Sequence, residues 1–162
     1  MDHESLATLE REMQELQSLA GAGQTFPPNC FVSMKAKFVY YDSRTSLTVS
    51  FPVLEESLNP LRNMQGGFIS AAFDNTFGPL SYLAARGPCI TVDLHTQFIR
   101  PVDAGDTITV AARVVSRGMN SMFLSAEAFN TRKKLIATCS ANMTILKKSA
   151  VETSRDDKNG RE

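Results

Sequence analysis

The feature that most constrains this chain is one long helical pattern with β-type patterns on both sides. The run from Gly66 to about Arg86 repeats apolar residues at helical spacing and closes on Gly87-Pro88, which is a helix stop. Two alternating runs precede it and four β-rich runs follow it. Only one central helix is available to cover one face of such a sheet. We therefore predict an α+β fold, a single antiparallel β-sheet wrapped around a long central helix.

The β-type runs are short and are separated by turn residues. Residues 34–40 and 47–53 alternate on either side of an Asp42-Ser43-Arg44 turn, which predicts a hairpin with Phe38 and Tyr40 on one face. Segment 55–64 contains Asn59-Pro60 and is predicted to be a loop. The four later strands are predicted at 89–99, 107–117, 122–130 and 135–146, and their short links suit an antiparallel meander.

The two ends of the chain differ from this middle part. Leucine and methionine recur every three or four residues near the start, followed by Gly21 and Gly23, so residues 1–23 are predicted to contain an extra amphipathic helix. Residues 149–162 are charged and poor in apolar side chains, which predicts a disordered tail. No repeat or second core interrupts residues 24–148, so we predict one domain there.

Composition excludes several classes of protein. Lys+Arg and Asp+Glu are balanced at 17 each, so no overall field favours a nucleic-acid partner or an anionic membrane. No leader pattern or long apolar run is present, so a cytoplasmic protein without a membrane partner is expected. Three cysteines without CxxC spacing argue against a disulfide framework, and two histidines argue against a metal site.

The central helix carries the candidate chemistry. Its Ile69–Leu83 stripe is an ordinary core face. Beside it runs a second stripe in which every member is small except Asp74: Gly67, Ala71, Asp74, Gly78, Ser81 and Ala85. A close partner or ligand fits there and would approach the carboxylate, although an ordinary surface Asp beside a packing seam is an equal alternative. Pro79 is expected to kink the helix or to split it.

The start of this helix is the second candidate. Gly66-Gly67 brings unpaired N–H groups and the positive end of the helix dipole to one point, and glycine lets a carbonyl come close. A plain glycine-rich loop is the alternative.

A resemblance joins these features. The run from Asn59 to Gly67, followed by Asp74 and by the stretch Thr91–Asp106, resembles the hotdog-fold acyl-CoA thioesterases of the phenylacetate-pathway type. The resemblance covers roughly residues 30–146. It implies the hotdog fold, hydrolysis of an acyl-CoA, and a homodimer or a dimer of dimers. No cofactor is implied, because coenzyme A is part of the substrate.

The resemblance also implies roles for individual residues. Asp74 would be the general base or the nucleophile, and the Gly66 N–H would polarise the thioester carbonyl. Asn59 would help to position the carboxylate or the water, and Thr91 would bind the attacking water. One position departs from the family, since its usual histidine is Gln65 here, and glutamine does not titrate near neutrality.

Other polar residues have simple structural explanations beside a functional one. The resemblance implies that four cations at strand ends and turns hold the coenzyme A phosphates: Arg100, Arg117, Lys133 and Lys134. Solvated turn charges are the alternative. Cys89 is predicted to be a buried strand residue. His95 is predicted to be a satisfied sheet histidine on the face that carries Thr91. Two functions stay open at this point: thioester hydrolysis, or a non-catalytic hotdog module that binds acyl-CoA.

Overall fold

The structure is a computed structural model and describes residues 3–19 and 27–146. The predicted tail, and residues 20–23 of the predicted N-terminal segment, lie outside the described residues. The elements in chain order are α1 (His3–Leu19), α2 (Asn29–Ser33), β1 (Lys37–Asp42), β2 (Ser46–Pro52), a 3-10 turn (Glu55–Ser57), α3 (Gly66–Ala85), β3 (Cys89–Phe98), β4 (Thr107–Arg117), β5 (Ser121–Phe129) and β6 (Leu135–Ile145).

The six strands form one antiparallel sheet in the order β1-β2-β4-β5-β6-β3. Helix α3 packs against one face and contacts five of the six strands. The core lies between this helix and the sheet, and its largest fully buried side chains include Phe51, Phe73, Phe77, Leu80 and Ile108. The predicted sheet wrapped around a central helix, with an extra N-terminal helix, is therefore confirmed.

One predicted connection is wrong. Strands β4, β5 and β6 form the expected meander, but β3 pairs with β6 at the far edge of the sheet and not with β4. The reason is that α3 carries the chain across the sheet, so β3 starts at the opposite edge. Residues 99–106 then return over a distance of three strand spacings, about 14 Å.

Helix α3 has the predicted core face. Ile69, Phe73, Thr76, Leu80 and Leu83 are all at most 3% exposed. The helix runs without a break through Pro79, so the predicted split does not occur. A buried apolar face on both sides of the proline offsets the loss of one backbone hydrogen bond.

Two of the register shifts in the sheet, in β1 and β3, change which of the predicted residues share a face. In β1 the register shifts between Phe38 and Tyr40, so Tyr40 is 42% exposed and Tyr41 is 2% exposed. The predicted face with Phe38 and Tyr40 together is therefore wrong, because an extra residue in one strand reverses the alternation beyond it.

Helix α1 covers β1 and touches α3. Its Leu9 is buried at 1% exposure, and Leu6, Met13 and Leu16 pack against the core. The short helix α2 was not predicted, and its Phe31 stacks on Phe38 with ring centroids 4.6 Å apart. None of the helices in the described segments combines the length and the apolar content that spanning a bilayer requires.

Candidate active site

Asp74 and Thr91 come together between α3 and β3. Asp74 is half-buried midway along the helix, and the Thr91 hydroxyl donates a hydrogen bond to its Oδ1 at 2.9 Å. Thr91 is followed by the second bulge, at Val92, where the pairing of β3 with β6 shifts. The hydroxyl holds one carboxylate oxygen and so fixes the orientation of the side chain.

Gly66 is the first residue of α3. The preceding residue, Gln65, has extended backbone dihedrals of φ −67° and ψ 141°, and its carbonyl accepts the first helical hydrogen bonds, from Phe68 and Ile69. The N–H groups of Gly66 and Gly67 therefore come before the first intrahelical bond, at the positive end of the helix dipole. This is the arrangement that an oxyanion donor requires.

The loop before the helix is held by main-chain groups. The Gln65 N–H donates to the Ser57 carbonyl at 2.8 Å, and the Met64 N–H donates to the Val102 carbonyl at 2.8 Å. The Gln65 side chain is exposed and makes no capping hydrogen bond. The side chain at position 65 therefore does not set the conformation of this loop.

Asn59 lies in the same loop and stabilises it. Its Oδ1 accepts hydrogen bonds from the N–H groups of Leu61 and Asn63 at 2.9 and 3.1 Å. This is an Asx-type turn, a usual role for asparagine before a tight reversal. In the part of the chain that the structure describes, no hydrogen bond joins Asn59 to Asp74.

Three further polar groups, which the sequence did not single out, lie near Asp74. Ser70 donates to Thr96 Oγ1 at 3.3 Å, and Thr96 contacts the Cys139 sulfur at 3.3 Å. Burial raises the pKa of the Cys139 thiol, and the nearby charge of Asp74 raises it further, so the thiol stays neutral. Ser70 is one helical turn from both Gly66 and Asp74, and this spacing is the sequence feature that could have placed Ser70 near the site.

The four cations predicted to bind coenzyme A are exposed and lie at two ends of the protomer. Arg100 donates to the Leu135 carbonyl at 2.7 Å, close to Lys133 and Lys134 in the turn before β6. This is the end where Phe98 contacts Gly66. Arg117 instead donates to the Ala85 carbonyl, at the other end of α3 and about 30 Å away along the helix.

The other two candidate residues are not part of this site. Cys89 is buried as predicted, and burial raises the pKa of its thiol. His95 lies on the outer face of the sheet with Gln97, whereas Thr91 faces α3. The predicted shared face is wrong, because the bulge at Val92 reverses the alternation between Thr91 and His95. Among the described residues, no group of His, Cys, Asp and Glu side chains could hold a metal ion.

The fold is shared with solved structures. The E. coli PaaI protein from the phenylacetic acid degradation operon superposes with a TM-score of 0.74 at 18% identity, covering 86% of this chain and 94% of its own. A phenylacetic acid degradation-related protein from Ralstonia eutropha JMP134 superposes with a TM-score of 0.68 at 25% identity, covering 83% of this chain and 98% of its own. The sheet around α3 is thus the hotdog fold.

Sequence comparison gives a similarity over the middle part of the chain. The profile of the thioesterase superfamily matches residues 62–137, which include Gly66, Asp74 and Thr91. Human acyl-coenzyme A thioesterase 13 is 30% identical over 87 residues, which are 52% of this chain and 62% of the human protein. The chain thus spans less than two thirds of the length of this relative. The chain therefore has the hotdog fold, and its residues 62–137 are similar to the thioesterase superfamily.

Proposed function

We propose that this protein hydrolyses an acyl-CoA thioester to a free acid and coenzyme A. The observation that carries the proposal is the hydrogen bond from Thr91 to Asp74. It holds a half-buried carboxylate in one orientation on the helix whose first residue is Gly66. The family match and the acyl-CoA thioesterase relatives support the same reaction.

The chemistry needs one base and one oxyanion donor. In the proposed reaction, Asp74 removes a proton from a water molecule while the water oxygen attacks the thioester carbon. The Gly66 N–H stabilises the negative charge that forms on the carbonyl oxygen. The tetrahedral intermediate then expels the coenzyme A thiolate, which takes the proton from Asp74. A thioester carbonyl is already electrophilic, so no cofactor is needed in this scheme.

The proposed site requires two subunits. Gly66 and Asp74 are eight residues apart on one helix, about 12 Å along its axis, which is too far for both to act on one carbonyl. A two-fold axis that sets two α3 helices side by side and antiparallel would bring Gly66 of one copy beside Asp74 of the other. The half-buried Ala71 and Gly78 on the small-residue stripe leave room for that approach.

Strand β3 supports this pairing. It is a ten-residue edge strand whose outer backbone groups are open to another strand. Pairing with β3 of a second copy would join the two sheets and place both α3 helices on the same face. It would also turn the Arg117 end of one copy toward the Gly66 end of the other, so that all four predicted cations flank a site. A further association into a dimer of dimers stays a prediction.

The alternative is a non-catalytic module that binds acyl-CoA. Gln65 in place of the family histidine is the observation that favours it. A solved relative in fold from Streptococcus mutans UA159 is bound to acetyl CoA (TM-score 0.66, 19% identity, 78% of this chain and 95% of its own). Both functions would bind the same ligand, so only turnover separates them.

The test is thiol release from a panel of acyl-CoAs, with Asp74→Asn as the diagnostic variant. We expect turnover of at least one acyl-CoA by the wild type and a loss of at least about a hundredfold in Asp74→Asn. Asp93→Asn is the matched control, since Asp93 lies exposed on β3 and is bound to Asn142. Tight binding without turnover would favour the module. Near wild-type hydrolysis by Asp74→Asn would exclude Asp74 as the base.

A further inference from the structure

Phe98 is the last residue of β3 and its ring touches the first residue of α3. A Cβ built on Gly66 would lie 3.0 Å from Phe98 Cζ and 3.3 Å from Cε1 and Cε2. A methyl group at position 66 would therefore need the ring tip to move by a few tenths of an ångström. Glycine at this position lets the ring lie directly against the backbone at the start of the helix.

The ring is unusual for a contact of this kind because it is 55% exposed. Large aromatic side chains that serve only the core are usually buried, as Phe73 and Phe77 are. Phe98 has the same strand facing as Thr96, whose hydroxyl meets Ser70 on α3. Ile99, which follows it, is 45% exposed. An exposed aromatic ring thus lies against the first residue of the helix.

This position has a consequence for the Gly66 donor. A hydrogen bond from an N–H to a developing oxyanion is stronger where water does not compete for the donor. The first N–H groups of a helix have no internal acceptor and are open to water unless a neighbour covers them. The three atoms nearest to a Cβ position on Gly66 all belong to the Phe98 ring.

We propose that Phe98 is a positioning residue of the thioesterase site. Its ring closes one side of the Gly66 N–H against water and leaves the other side open to the thioester carbonyl. This inference rests on the function proposed above, in which Gly66 is the oxyanion donor. The ring acts through that donor and takes no part in proton transfer.

The first experiment measures amide hydrogen exchange at Gly66 by NMR, which does not depend on turnover. In Phe98→Ala we expect exchange at Gly66 to be about tenfold faster than in the wild type, because the ring no longer covers the donor. Ile90→Ala is the matched control. Ile90 lies on the same strand and is similarly exposed, at 53%. It stands between Cys89 and the inward-facing Thr91, so its side chain points away from α3. Unchanged Gly66 exchange in folded Phe98→Ala would overturn the proposal.

Kinetics on the best acyl-CoA substrate give the second readout. In Phe98→Ala, kcat should fall about tenfold while KM changes less than about threefold, as expected for weaker stabilisation of the transition state alone. Faster Gly66 exchange with unchanged kcat would also overturn the role. If wild type releases no thiol from any acyl-CoA, the proposed hydrolysis fails, and the exchange result still decides whether the ring covers Gly66.

A rescue experiment separates this role from general packing. Gly66→Ala keeps the N–H but puts a methyl group against Cζ of Phe98, so activity should fall. Adding Phe98→Leu removes the ring tip, and the double variant should regain several-fold activity over Gly66→Ala. Gly67→Ala is the control for the ring position, because nothing lies within 4 Å of a Cβ there, and it should leave the Phe98 ring resonances unchanged. Absence of rescue in folded protein would contradict the proposed contact.

Discussion

Glu12 of helix α1 gives the most quantitative prediction from the structure. The residue is 9% exposed, and its carboxylate accepts hydrogen bonds from the Tyr41 hydroxyl at 2.8 Å and the Ser43 hydroxyl at 2.7 Å. Arg44 Nε lies 3.4 Å away. These contacts attach α1 to the turn between β1 and β2, so removing the charge of Glu12 should weaken the attachment of the whole helix.

The magnitude of Glu12→Gln follows from these contacts. Hydrogen bonds to a charged group contribute about 1.5–3 kcal/mol each, whereas neutral ones contribute about 1 kcal/mol. Glutamine keeps one acceptor oxygen for the two hydroxyls. The ion pair adds at most about 1 kcal/mol, because the Arg44 side chain is 41% exposed. We expect the variant to lose about 2 kcal/mol of unfolding free energy at pH 7.

The pH dependence has a defined sign. Burial alone would raise the pKa of Glu12, but the hydrogen bonds from Ser43 and Tyr41 and the charge of Arg44 outweigh it and lower the pKa below its ordinary value of 4.5. A carboxylate whose pKa is lower in the folded than in the unfolded protein stabilises the folded state at pH values above its unfolded-state pKa. This contribution is lost as the pH falls through its folded-state pKa. The difference between wild type and Glu12→Gln should therefore be constant near neutrality and shrink below about pH 4.5.

The assay is urea unfolding followed by circular dichroism at several pH values, with hydrogen exchange of the α1 amides as a local probe. Glu15→Gln is the matched control, because Glu15 is one turn away, 53% exposed, and 3.9 Å from Arg86. It should change stability by less than about 0.5 kcal/mol. The reasoning is refuted if Glu12→Gln is as stable as the wild type at pH 7, or if Glu15→Gln loses as much.

Two further predictions concern the site. Gln65→His should leave the fold intact and alter thiol release less than Asp74→Asn, because main-chain groups hold the loop; complete loss of activity in folded protein would contradict this. For the shared site, mixing Asp74→Asn with Gly66→Pro, which lacks the N–H, should return roughly a quarter of wild-type thiol release, because about half of the dimers are mixed and each contains one intact site. No recovery after verified subunit exchange would exclude a site built from two subunits.

The hydrophobic period predicted the elements well, because burial depends on which residues share a face. The core face of α3 and the alternation of β2, with Leu47, Val49 and Phe51 buried, were readable in this way. The partner of β3 was not readable, since a helical crossover of this length allows either edge of the sheet. The bulges at Val39 and Val92 were not readable either, because no glycine or proline marks them.

The candidate site, like the fold, was only partly predictable from the sequence. Asp74 stood out by its place in the small-residue stripe, and Thr91 was implied only by the resemblance; the structure places the two in contact. Strand alternation predicted His95 on the face of Thr91, and one inserted residue reverses that. Ser70, Thr96 and Phe98 were not assigned to the site, because none has an unusual chemistry. The contacts that Thr96 and Phe98 on β3 make with α3 depend on how these two elements are placed against each other, which no local pattern specifies.

Gln65, which stands where the resembled thioesterases have a histidine, is the residue at which local structure bears most directly on the proposed function. If the residue at this position had a side-chain bond within the loop, its replacement would shift the start of α3 and therefore the Gly66 donor. Here the carbonyl of Gln65 accepts the first bonds of the helix, and its N–H donates to Ser57. Any residue with an N–H and an extended backbone can make these bonds. The direction of the Gly66 N–H is therefore set by the backbone of residues 57–69, and the proposed hydrolysis would depend on Asp74 and the main chain rather than on an imidazole at position 65.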